Sequence, residues 1–302
     1  MYRLRRGRVW ELSVTVPSEA EDAVAELVAR VYAMPPVVTT HLKSNASTIT
    51  LYSHNRRLFS QARLRELQAG LEHIAACGLD VGVPRFDLRA LRQKNWVEAW
   101  KKQFKPVRIG SAVLIKPGWS KAKPRKGEVV VVLDPGLAFG TGHHPTTAFC
   151  LEQIVRLRRA SADQSLLDIG TGSGILAITA AKLGYAPVVA VDLDPSAVRV
   201  ARANVKRNKL TRKVKVLKAD VTKARLSSLG AFDVVCANLS TELLLSCVHQ
   251  IGGAVSRGGA LVLAGILSSE FEPVARAYRK AGFKLLTTRV QQEWQSGLFI
   301  AG

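Results

Sequence analysis

The chain has 302 residues, 44 Lys and Arg against 23 Asp and Glu, a formal net charge of +21 and 47% hydrophobic residues. This apolar content argues against a disordered chain, and no apolar run approaches the roughly 20 residues that a spanning helix needs. Cys77, Cys150, Cys236 and Cys247 stand without CxxC spacing, which argues against zinc ribbons and disulfides and points to reduced thiols in a cytoplasmic protein. The first ten residues are basic but lack the apolar stretch of a secretory signal, so no targeting is expected.

Residues 9–16 alternate apolar and polar and predict a strand. Ser18, with Glu21 three positions on, has the spacing of a capping box, and Val24, Leu27, Val28 and Val31 share one face of the helix that follows. Pro35 and Pro36 stop it. Residues 37–42 and 48–52 read as a hairpin, residues 58–77 as a second amphipathic helix ended by Gly78, and residues 83–88 as a last strand. The order β-α-β-β-α-β predicts a ferredoxin-like α/β sandwich over residues 1–91, with substrate recognition as its default role.

Residues 92–105 place Trp96, Trp100 and Phe104 on one helical face and predict a linker helix before a catalytic domain spanning residues 106–302. Strands are expected over residues 107–115 and 129–133. The stretch DPGLAFGTGHHPTT, residues 134–147, is too rich in Gly, Pro and Thr for a regular element. It reads as a shaped loop feeding a helix that starts near Thr146 or Thr147, where Thr147 can cap the helix or turn its hydroxyl to a ligand. His143 and His144 suggest a metal or a base. Neighbouring residues rarely ligate one ion, and no matching Cys, Asp or Glu cluster accompanies them, so no metal is expected.

The stretch SLLDIGTGSGILA, residues 165–177, carries the most information. A short apolar run ends in Gly170, Gly172 and Gly174, and the pattern then changes to helical spacing. Strand, tight turn and helix in that order let bare backbone approach a ligand and offer unpaired N–H groups to a negative group. The next strand ends at Asp192, about 20 residues on, where a doubly wound sheet binds ribose hydroxyls. Asp194 precedes Pro195 and is assigned to helix capping. The spacing is GxGxG and not GxGxxG, which weakens a dinucleotide reading. Asp168 and Asp220 also end strands, where each can reach the cofactor or cap its own turn.

A buried strand over residues 233–237 ends at Asn238. Ligands of open α/β sheets gather beyond the carboxyl ends of strands, so Asn238 faces the same crevice as Gly170 and Asp192. Its amide oxygen and the carbonyl of Leu239 can accept hydrogen bonds from an amine. A helix over residues 241–255, a strand over 260–267, a helix over 270–281 and an antiparallel pair over 284–290 and 298–301 complete the expected sheet.

DIGTGSGILA followed by VVAVDLDPSAV resembles motifs one and two of the class I methyltransferases, which use S-adenosylmethionine. Together with NWVEAWKKQFKPVRIG, LDPGLAFGTGHHPTT and FDVVCANL, in that order, they resemble the bacterial ribosomal protein L-eleven methyltransferase (PrmA) family. The resemblance implies a seven-stranded, Rossmann-like catalytic sheet after a small recognition domain, and methylation of lysine side chains or the N-terminal amine of that ribosomal protein. It implies catalytic roles for Asn238 and Leu239, and cofactor contacts by Thr147, Gly170, Gly172, Asp192 and Asn238. His143 departs from the family's usual Thr, and Ser240-Thr241 from its usual continuation.

An RNA methyltransferase and a nicotinamide-dependent oxidoreductase are the alternatives. The first would account for the charge, including the basic run from Arg199 to Lys218, which fits either contact with ribosomal RNA or a solvated face. It lacks, however, an aromatic platform near Asn238. The second needs pyrophosphate contacts that the glycine spacing does not supply. The protein is expected to act as a monomer, away from membranes.

Overall fold

The computed structural model describes residues 9–302 except 33, 35, 42–44, 54, 92–104, 134–143, 160–162 and 224–225. The linker helix predicted over residues 92–105 and most of the loop over residues 134–147, with His143, therefore lie outside the described residues. The chain divides into two compact units, Met1–Gln103 and Phe104–Gly302.

The first unit contains β1 (Val9–Pro17), α1 (Glu21–Tyr32), β2 (Val37–His41), β3 (Ala46–Ser53), α2 (Gln61–Ala76) and β4 (Arg85–Leu91). Its sheet is antiparallel throughout in the order β2-β3-β1-β4, the expected ferredoxin-like arrangement. Leu12, Val14 and Val16 alternate inward from β1 onto Val24, Leu27 and Val28 of α1 and Leu67 and Leu71 of α2. Ser18 begins a single 3-10 turn ahead of α1, and the Glu21 carboxylate accepts a hydrogen bond from Ser47 Oγ of β3. The Glu21 side chain thus ties the helix to the sheet, and the turn that begins at Ser18 has no side-chain cap bond.

The second unit opens with a three-stranded sheet of β5 (Val107–Ile109), β6 (Val113–Pro117) and β7 (Val129–Leu133). The single strand expected over residues 107–115 is a hairpin that turns at Gly110, whose φ is 53°. Beyond it lie α3 (Pro145–Leu157), β8 (Leu166–Ile169), α4 (Ile175–Lys182), β9 (Val188–Asp192), α5 (Pro195–Arg207), β10 (Val214–Lys218) and β11 (Phe232–Asn238). Then follow α6 (Thr241–Ser246), α7 (Val248–Gly252), β12 (Val255–Leu267), α8 (Phe271–Lys280), β13 (Phe283–Gln291) and β14 (Trp294–Ala301). The seven-stranded sheet runs β10-β9-β8-β11-β12-β14-β13, with β14 antiparallel to both its neighbours, as in class I methyltransferases.

Alternation along β11 shows how the sheet is covered. Val234 and Cys236 belong to the core under α3, α4 and α5, and Val235 and Ala237 to the core under α6, α7 and α8. Asn238 shares the parity of Cys236 and so leaves the strand on the α3 side. The helix expected over residues 241–255 is broken at Cys247, whose φ of −112° is not helical. The Leu243 carbonyl accepts from both Cys247 N, at 3.0 Å, and Ser246 Oγ, at 3.2 Å, and β12 begins at Val255 opposite Phe232.

Candidate functional site

The turn after β8 is held almost wholly by its own chain. Gly170 N and Thr171 N both donate to the Val191 carbonyl, at 2.9 and 3.0 Å, and Gly174 N donates to the Thr171 carbonyl at 2.8 Å. Gly172 N donates to Asp192 Oδ2 at 2.9 Å. These bonds close the turn on β9 and its end; in the first helical turn, where the sequence predicts unpaired N–H groups, Ala177 N is taken by Asp168 Oδ2. Gly170, Gly172 and Gly174 have φ of 72°, 53° and 83°, the left-handed region in which a side chain is strained. A Cβ on Gly170 would lie 2.4 Å from Leu239 Cδ2, so the bare backbone there admits Leu239 from the end of β11.

Asp192 Oδ1 accepts from Asp194 N at 3.0 Å, and with Gly172 N on Oδ2 each carboxylate oxygen holds one backbone N–H and keeps a second lone pair. Asp194 caps α5 as expected, accepting from Ser196 N at 2.7 Å ahead of Pro195, while also lining the cleft.

Asp168 lies below the cleft and does not line it. Its Oδ2 accepts from Thr171 Oγ1 at 2.6 Å and from Ala177 N at 3.2 Å, which braces the turn against the first residues of α4. Its Oδ1 is buried without a partner, and burial raises its pKa to about 6. Asp220 accepts from Thr222 N and Thr222 Oγ1, at 3.0 and 2.6 Å, and so caps its own turn.

On the acceptor side, Asn238 Nδ2 donates to Thr147 Oγ1 at 3.5 Å, the one hydrogen bond of that amide group among the described residues. Leu239 N donates to the Ala264 carbonyl at 3.1 Å, which extends the β11–β12 ladder by one rung. Thr147 is buried in the first turn of α3. The cap of α3 is His144, whose ring accepts from Thr146 N, with Pro145 as the first helical residue; the Thr cap considered from the sequence is not used. Burial holds the His144 pKa below its ordinary value, against the opposing pull of Glu293, and so favours the neutral ring that can accept this bond. Glu152 of α3 pairs with Arg289 of β13, Arg289 Nη1 to Glu152 Oε1 being 3.0 Å, and this ties α3 to the edge of the sheet. Cys150 of α3 and Cys236 of β11 lie in the adjacent core, where burial pushes both thiols above their ordinary pKa.

One cleft of about 370 Å³ is lined by Thr147, Gly170, Gly172, Asp192, Asn238 and Leu239, the six residues singled out from the sequence. Ile175 and Leu176 at the start of α4 and Ala197 and Val200 of α5 form its apolar wall. The sequence reading did not single these out, because their helical spacing looks the same as that of core residues. Among the described residues that line the cleft there is no Lys, no Arg and no aromatic ring. That chemistry fits S-adenosylmethionine: an acidic side chain for a ribose diol, an apolar wall for adenine, and nothing built to grip a pyrophosphate. Among the described residues no three His, Cys, Asp or Glu side chains gather to hold a metal ion, and no helix is long and apolar enough to cross a membrane.

The model of one protein family, described as "Ribosomal protein L11 methyltransferase (PrmA)", matches residues 8–299. The ribosomal protein L11 methyltransferase of Pelobacter propionicus is 36% identical over 297 residues, covering 94% of this chain and 94% of its own length. That of Geobacter metallireducens is 40% identical over 232 residues, 76% of this chain and 74% of that protein. A crystal structure of ribosomal protein L11 methylase from Lactobacillus delbrueckii subsp. bulgaricus is 27% identical with a TM-score of 0.57, over 65% of this chain and 98% of that one.

Proposed function

The chain belongs to the ribosomal protein L11 methyltransferase family, and we propose that it methylates amines of ribosomal protein L11, lysine side chains or the N-terminal amine, using S-adenosylmethionine. The sulfonium supplies an electrophilic methyl group and departs as a neutral thioether. Asp192 takes the ribose hydroxyls, the Gly170–Gly172 backbone lies against the nucleoside, and Thr147 helps to hold the methionine end. Asn238 Oδ1 and the Leu239 carbonyl accept hydrogen bonds from the incoming amine and so aim its lone pair at the methyl carbon. Catalysis on this reading is chiefly orientation, because the leaving group needs no protonation.

The observation that carries the reading is the convergence of Asn238 and Leu239 on the same cleft as Asp192, with no ring among the described lining residues to stack a nucleobase. A planar acceptor would need such a ring; an aliphatic amine needs only acceptors. Residues 1–91 serve as the substrate-recognition domain, residues 92–105 as the linker and residues 106–302 as the catalytic domain of a cytoplasmic monomer.

We infer a contact with ribosomal RNA along α5, the edge strand β10 and the turn between them. Arg199, Arg202, Lys206, Arg207, Lys209, Arg212, Lys213, Lys215 and Lys218 are all exposed there, and no acidic residue interrupts them. Such a row suits a phosphate backbone.

The test offers labelled S-adenosylmethionine with unmodified L11 and with ribosomal RNA separately, and reads intact masses. Stepwise single-methyl gains on L11 are expected. RNA retained on a filter should fall with salt, and less steeply for the double variant Lys213→Glu, Lys215→Glu. Label in RNA with none in protein would replace this function by the RNA methyltransferase reading.

A further inference from the structure

Gly265 lies outside every motif read from the sequence, yet its backbone bends beneath the acceptor end of the site. It follows Ala264, the residue of β12 paired with Asn238, and its φ is 82°. The register between β12 and β14 shifts at this point, between Leu263 and Ile266. A Cβ built on Gly265 would lie 2.5 Å from the Leu239 carbonyl oxygen and 3.0 Å from Asn238 Oδ1. Those are the two oxygens assigned to the acceptor amine. No real Cβ sits that close to a carbonyl oxygen, and the oxygen belongs to backbone that is itself pinned by Leu239 N to the Ala264 carbonyl at 3.1 Å. A side chain at position 265 would therefore have to push the paired oxygens away from each other or occupy the space they share.

We propose that Gly265 is a positioning residue for methyl transfer: the missing side chain lets the Asn238 and Leu239 oxygens stand side by side, and the left-handed turn carries β12 away beneath them. The proposal rests on the amine-methylation reading above. It separates two demands on this glycine, a left-handed φ and an empty Cβ position, and a second glycine of the same strand isolates the first demand. Gly258 has φ of 68° and nothing within 4 Å of its Cβ position.

The test compares Gly265→Ala, Gly265→Asn and Gly258→Ala in the full chain, by steady-state kinetics on L11 and by calorimetric S-adenosylmethionine binding. Asn tolerates a left-handed φ better than Ala but carries the same Cβ, so it supplies a measurable protein if the Ala variant fails to fold. Both Gly265 variants should lose about 30-fold or more in kcat, since displacements of about 1 Å at a reacting group cost up to about 100-fold. Their S-adenosylmethionine Kd should stay within about threefold of wild type, and Gly258→Ala should keep wild-type kcat. A Gly265→Asn protein that binds S-adenosylmethionine and turns over at the wild-type rate would overturn the proposal, as would an equal loss of kcat in Gly258→Ala. A wild-type protein that transfers no methyl to L11 would instead sink the functional reading on which the proposal rests.

Discussion

The two sides of the cleft are built on opposite plans. At the glycine turn, the N–H groups of Gly170, Thr171, Gly172 and Gly174 are satisfied within the protein, by Val191, Asp192 and Thr171, so the cofactor side is rigid before anything binds. At the end of β11, the Asn238 amide makes a single 3.5 Å hydrogen bond among the described residues, while the backbone beside it is fixed by the Ala264 carbonyl. A site that must hold one constant cofactor can close its hydrogen bonds in advance. A site that must seize a changing amine has to keep acceptors in reserve on a fixed frame.

Substitutions on the two sides should accordingly fail in different ways. The largest effect is expected for Asn238→Ala, which removes an acceptor used in the transfer step: kcat should fall about 1,000-fold, roughly 4 kcal/mol, with cofactor Kd within about fivefold. Stopped-flow single turnovers on L11 would measure it; a defect confined to cofactor Kd would erase the distinction drawn here. Asp192→Asn should show the reverse pattern. The amide cannot accept both Gly172 N and Asp194 N while also serving a diol, so cofactor affinity should drop about 30-fold and the melting temperature should fall with the unpaired N–H. At saturating cofactor, kcat should stay near wild type, and calorimetry beside kinetics decides the matter.

A third effect falls on stability alone and concerns the brace below the turn. Burial raises the Asp168 pKa from 3.8 to about 6, so the folded protein holds a proton that the unfolded chain releases in that interval. Stability should fall as pH rises from about 4 to about 6, by about 3 kcal/mol at most, and stay lower above that window. Asp168→Asn removes the titration, so its melting temperature relative to wild type should rise between pH 4 and pH 7.5. A difference between the two proteins that does not change with pH would rule this out.

Much of this was legible in the residues. The glycine triplet, the carboxylate at the end of β9 and the Asn at the end of β11 are all strand ends, and a doubly wound sheet brings strand ends together by topology alone. Other features depend on contacts between distant segments. Nothing in LVLAGIL distinguishes Gly265 from an ordinary strand glycine, because the oxygens it accommodates belong to another strand. His144, a candidate base by its residue type, serves as a helix cap, since the pattern HPTT does not say which side chain turns back on the helix. The break at Cys247 carries no proline or glycine, so nothing in the local sequence marks it.

The cores beside the site bear on chemoselectivity. A thiolate is a softer and faster nucleophile toward a sulfonium methyl than any amine, and Cys236 stands two positions before Asn238 on the same strand. Sealed in the core beside Cys150 and held as the thiol, it offers the donor no competing anion. The same packing that supports the acceptor end thus spares the enzyme from alkylating itself during the interval when donor is bound and substrate has yet to arrive.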